Sequence, residues 1–130
     1  MERQDFRIDS LLAGDDTLVL RATGEIDLCS SFSFREQMIR AADGAASRLV
    51  LDLSSVRFID SSGLSVMIAT AKRLFLQGRE LVLVCSENRI RRVLMTSGLD
   101  RLVPVHAAMS EALGGLATAQ GGPVLPALPQ

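Results

Sequence analysis

The sequence predicts a single α/β domain built on a mixed sheet, and three observations carry that prediction. The chain has 130 residues, the length of one domain. Its first strands alternate in the manner of a half-exposed hairpin. Further on, Arg48-Leu49-Val50-Leu51-Asp52-Leu53 and Glu80-Leu81-Val82-Leu83-Val84 are near-continuous apolar runs, as required of parallel strands covered on both faces. Between and after these runs, apolar residues recur at intervals of three and four, the period of helices laid on a sheet.

Phe6-Arg7-Ile8-Asp9 alternates, Ala13-Gly14-Asp15-Asp16 is a turn, and Leu18-Val19-Leu20 returns from it, which makes an antiparallel hairpin. Leu28, Phe32, Arg35, Ile39 and Ala42 mark the first helical stripe, imperfect at Arg35. The run from Arg48 is the third strand. Leu64, Met67, Ile68, Ala71, Leu74 and Phe75 mark a second helix, and the run from Glu80 is the fourth strand. Ile90, Val93 and Leu94 mark a third helix, closed by Gly98 where a left-handed residue after a helix belongs. A short strand at 102–105 and a last helix around 109–116 bring the total to about four helices. The domain is expected over 1–116. Residues 117–130, with Gly121-Gly122-Pro123, Pro126 and Pro129, read as a disordered Ala/Gly/Pro-rich tail.

Hydrophobic residues make up 48% and charged residues 22%, a balance suited to a packed core. With 14 Lys+Arg against 15 Asp+Glu, a nucleic-acid binder that works by neutralising phosphate over its whole surface is excluded. No apolar run approaches the ~18 residues of a membrane span, and with no apolar stretch in the first residues no signal sequence is expected. The expectation is a cytoplasmic protein without membrane or direct nucleic-acid contact. Cys29 and Cys85 form no Cys-x-x-Cys pair and are expected as buried free thiols in a reducing compartment. No cofactor is implied: there is no Gly-x-x-x-x-Gly-Lys, and the acidic residues are scattered.

In α/β sheets, ligands and partners meet the loops at the carboxyl ends of the strands. Two such loops stand out: Thr23-Gly24-Glu25-Ile26-Asp27, with Asp27 placed to cap the first long helix, and Phe58-Ile59-Asp60-Ser61-Ser62-Gly63-Leu64. Capping free backbone N–H groups accounts for an Asp or Ser at a helix start. A cap needs one residue, however, and here a carboxylate and two hydroxyls stand together. Gly63 in the first turn costs up to ~1 kcal/mol relative to Ala, which points to a close approach. Neither serine is a nucleophile elbow, because Ile59 precedes Ser61 by two and Asp60 precedes Ser62 by two. The one histidine, His106, is expected at the surface or at a helix entry. The chain is therefore not expected to be an enzyme. A serine at a helix start is instead a substrate for one, and phosphate adds about −1.5 to −2 charge where helix N-termini tolerate anions. Spacing allows Ser61 or Ser62.

Leu49-Val50-Leu51-Asp52-Leu53, Val56-Arg57-Phe58-Ile59-Asp60-Ser61-Ser62-Gly63-Leu64, Gly24-Glu25-Ile26-Asp27 and Met95-Thr96-Ser97-Gly98-Leu99 together resemble the STAS family. Within it they resemble the stand-alone anti-anti-sigma factors (anti-sigma factor antagonists), in order and spacing over roughly 5–116. The resemblance implies a STAS-like mixed sheet and a partner-switching cycle. The unphosphorylated protein would bind an anti-sigma factor that is also its serine kinase. Phosphorylation at Ser61, less so Ser62, would release it, and a PP2C-type phosphatase would restore it. Asp27, Asp60, Ser62, Gly63 and Leu64 match docking positions. The alternative within the fold is a scaffold subunit of a stress-sensing complex or a transport-associated accessory domain. Homodimer formation is left open. Ser30, Ser31 and Ser33 read as solvated helix surface. Arg89, Arg91 and Arg92, with Lys72 and Arg73, read as solvated faces or as a second patch for an acidic partner.

Overall fold

A computed structural model describes residues 5–114. Five strands, β1 (Arg7–Ala13), β2 (Thr17–Ile26), β3 (Arg48–Ile59), β4 (Glu80–Val84) and β5 (Val105–His106), lie in that order across one sheet. β1 runs antiparallel to β2, and the other neighbours are parallel. Four helices are interspersed: α1 (Ser31–Ala42), α2 (Ser61–Leu76), α3 (Asn88–Thr96) and α4 (Met109–Ala112). The expected mixed sheet, hairpin first and parallel strands after, is the fold observed. The tail expected at 117–130 lies outside the described residues.

Strand alternation sorts the apolar runs between two cores. Leu49, Leu51, Leu53, Leu81 and Leu83 meet Phe34, Met38, Met67, Leu74, Ile90 and Leu94 from α1, α2 and α3. Val19, Val50, Val82 and Val84 face the other way, onto Met109, Ala112 and Leu113. Both faces are covered, so the central strands have to be apolar at nearly every position.

Helix α1 departs from the expected stripe. It buries Phe34, Met38, Ala41 and Ala42, and Leu28 and Phe32 are 78% and 72% exposed. Both sets have helical spacing, but the exposed set contains Arg35, whose charge would be buried unpaired if that stripe turned inward. Phe6 also meets Phe34 edge-on at 5.8 Å, fixing the inward face. In α2, Met67, Ala71 and Leu74 are buried as expected, together with Gly63, Val66 and Thr70. Leu64 and Ile68 form the half-buried edge of that arc, and Phe75, further along the edge, is exposed.

The strand expected at 102–105 is displaced. Leu99–Arg101 is a 3-10 turn, Leu102 is exposed, and pairing begins at Val105. Pro104 has no N–H to give to the ladder. It joins only as an acceptor, its carbonyl taking the Leu83 N–H at 2.9 Å. His106 is accordingly half-buried in β5 opposite Val84, not at a helix entry. Gly98 has φ 84°, the left-handed conformation expected after α3. The last helix is described over Met109–Ala112.

The cysteines divide. Cys85 is buried, and burial pushes its thiol pKa up. Cys29 is exposed, against expectation, because it belongs to a surface turn ahead of α1 and not to a packed face. A thiol reagent at mildly alkaline pH should label one cysteine per folded chain, with Cys29→Ser removing that label and Cys85 reacting only in denaturant. Equal labelling of both in the folded protein would contradict this packing.

Candidate functional site

The site begins where two parallel strands end side by side. Ile26 is in register with Ile59, and the Asp60 N–H donates to the Ile26 carbonyl at 3.1 Å. Asp27 and Asp60 therefore leave the ladder at neighbouring positions. β3 arrives there through two register shifts against β2, each adding one residue on β3. Such bulges bend a strand and redirect its end. The first bulge is held by Asp52, which is buried. Its carboxylate accepts the Ser54 N–H at 2.9 Å and the Arg21 Nε–H at 3.2 Å.

Asp60 is the N-cap of α2. Its Oδ1 accepts from the Ser62 N–H at 2.9 Å and the Gly63 N–H at 3.4 Å, and from the Ser62 hydroxyl as well. The two serines are thereby made unequal. The hydroxyl of Ser62 is turned in toward the cap. Ser61 is exposed in the first turn, and among the described residues no hydrogen bond holds its hydroxyl.

Gly63 supplies the close approach that its cost in a helix implied. A Cβ there would lie 2.5 Å from Cγ2 of Ile26 and 3.3 Å from the Ile26 carbonyl. Ile26 is fully buried and has no room to yield. The absence of a side chain lets the α2 N-terminus rest on the end of β2. Gly24 does similar work beneath the neighbouring loop. Its φ is +105°, and a Cβ would meet the Asp5 carbonyl at 2.7 Å.

Asp27 caps the turn at 28–30 and not α1 itself: its Oδ1 accepts the N–H groups of Cys29 at 3.0 Å and Ser30 at 3.2 Å. Ser30, expected as solvated surface, is buried. Its hydroxyl donates to the Glu25 carbonyl at 2.6 Å and accepts the Asp27 N–H at 3.0 Å. A tight turn at 27–30 folds the serine back under its own loop, and the Asp-x-x-Ser spacing is the signal that marks it. Ser31 is half-buried, and Ser33 is exposed. Leu64 lies half-buried beside Arg89, Arg92 and Val93 in a shallow apolar groove between α2 and α3. Arg91 is not a solvated cation, since it donates to the Cys85 carbonyl at 2.8 Å.

Among the described residues no group of three or more His, Cys, Asp and Glu is placed to hold a metal ion, and no helix is long and apolar enough to cross a membrane. No imidazole hydrogen-bonds to either serine, and His106 lies in β5, two strands from β3. The arrangement caps a helix and presents a hydroxyl.

Residues 11–112 match the STAS domain. The chain belongs to the STAS domain family. An anti-sigma F factor antagonist of Paenibacillus polymyxa is 35% identical over 91 residues, 68% of this chain and 77% of that protein. The anti-sigma-F factor antagonist RsfB of Mycobacterium tuberculosis is 31% identical over 98 residues, 75% of this chain and 80% of its own. Among solved structures, an anti-sigma factor antagonist from Mycobacterium paratuberculosis superposes with a TM-score of 0.76 at 27% identity, covering 85% of this chain and 95% of the other.

In this STAS domain the Gly63–Ile26 contact sets the geometry of the candidate loop, and it is open to test. Gly63→Ala should cost about 1–3 kcal/mol through overpacking, read as a lower urea midpoint. The cost should shrink in an Ile26→Ala background, where the opposing methyl is gone. Equal costs in both backgrounds would mean that the helix end is free to shift. Asp60→Ala should cost about 1 kcal/mol for the lost cap, measured in the same titration.

Proposed function

We propose that this chain is an anti-sigma factor antagonist of a partner-switching pathway, binding an anti-sigma factor when unmodified and released by phosphorylation of Ser61. The observation that carries the reading is the inequality of the two serines. Ser62 is engaged by the Asp60 carboxylate, and Ser61 stands exposed at the start of α2. The identities of 35% and 31% with proteins named as anti-sigma F factor antagonists support the regulatory role.

The partner docks over Asp27, Asp60, Ser62, Gly63 and Leu64 and is itself the serine kinase, with a PP2C-type phosphatase closing the cycle. Phosphate on Ser61 leaves α2 intact, because the N-terminal dipole and free N–H groups favour an anion there. Its effect falls on the partner through bulk and through charge added beside Asp27 and Asp60. A penalty of ~3 kcal/mol lowers affinity roughly 150-fold, enough for a switch.

Protein purified from its native host should carry a phosphatase-sensitive phosphate that maps to Ser61 by peptide mass spectrometry. Against the host's anti-sigma factor kinase in calorimetry, Ser61→Ala should bind as the unmodified protein does and resist phosphorylation. Ser61→Asp should bind at least ten-fold more weakly. Unchanged affinity of Ser61→Asp, with no phosphate under any growth condition, would overturn the switch.

A further inference from the structure

Helix α1 carries two apolar faces, and the second has no cover among the described residues. Phe32 and Ile39 stand exposed along the outside of α1, Leu28 is exposed in the turn ahead of it, and Leu76 on α2 is 83% exposed across from them. Together they line an open trough of about 1070 Å³ between the two helices. Scattered exposed apolar residues need no explanation, but a contiguous lined trough does.

The charge of the trough is one-sided. Arg35, Lys72 and Arg73 line it, and no Asp or Glu does among the described residues. The chain as a whole has 14 basic and 15 acidic residues, so the bias is local. Arg73 pairs with Asp43 at one end. Arg35 and Lys72 have no ion pair among the described residues. Ser62, the next residue after Ser61 in the first turn of α2, also lines the trough.

We propose that the trough between α1 and α2 receives an acidic amphipathic helix of the regulatory partner, an inference that rests on the antagonist reading above. An apolar floor between two helices suits the apolar face of a third, anchored at intervals of three and four residues. The cationic rim suits carboxylates on its flanks. The chain's own residues 115–130 contain no Asp or Glu, and they follow α4, which lies on the opposite face of the sheet. A second copy docked symmetrically would bring one cationic rim against another. Ser61 adjoins Ser62 at one end of the trough, so phosphate there adds negative charge close to the path of an acidic helix.

The test uses the full chain in its native host, with the photo-cross-linking residue p-benzoylphenylalanine at Phe32 and at Leu76. Leu64, outside the trough, is a third position, and the captured peptides are sequenced. Phe32 and Leu76 should capture an acidic, helically patterned segment of an anti-sigma factor. Arg35→Glu with Lys72→Glu should cut that capture at least ten-fold, and Glu36→Lys, one residue along α1 and outside the trough, should not. Circular dichroism confirms that each variant is folded. Capture of an anti-sigma factor at Leu64 but not in the trough overturns the trough proposal and leaves the antagonist reading standing. An acidic helix from a different kind of protein, captured in the trough, upholds the trough's chemistry and overturns the antagonist reading. Capture of residues 115–130 or of a second copy, or no capture at Phe32 and Leu76, overturns the proposal.

Discussion

The first turn of α2 rests against the end of β2 at van der Waals distance, with Gly63 over a fully buried Ile26 and no space between them for even a methyl group. Everything at the candidate site follows from that contact. It fixes where α2 begins relative to the sheet, and so where the Asp60 cap and the serines stand. Ile26 is the last residue of β2 and Asp27 the next, so the same contact holds the two loops side by side. Cores of this density transmit small changes of volume instead of absorbing them. A single methylene at position 63 is felt by both loops.

Around that contact, polar groups are divided between holding and presenting. Asp60, Ser62, Asp27 and Ser30 satisfy backbone N–H groups or one another within the loops. Asp52 does the same for the bulge that steers β3 toward the site. This leaves Ser61 as the exposed hydroxyl of the capping segment. A rigid frame around one accessible group suits recognition by another protein.

The two faces of α1 show how a helix can serve a core and a surface together. Phe34 and Met38 enter the core beside Phe6, and Phe32 and Ile39 point away from it. Arg35 assigns the faces, because a guanidinium is tolerated at the rim of an open trough and not in a core. An outward apolar face carries a cost in solubility that covering it would remove.

The sequence by itself determined the order of strands and helices, the parallel centre of the sheet and the glycine-containing start of α2. Periodicity, apolar runs and the Asp60-Ser61-Ser62-Gly63 stretch are local signals that the fold had only to accept. Tertiary structure decided the rest. Which apolar stripe of α1 turned inward depended on a charge and on Phe6, distant in sequence. The last strand began at Val105 because Pro104 could only accept from β4. Ser30 was buried because its turn folded back onto Glu25. Ser61 was separated from Ser62 because one carboxylate, held at the end of β3, reaches only one of two adjacent hydroxyls. Each of these outcomes depends on a partner brought near by folding, and spacing along a chain does not specify which neighbour that is.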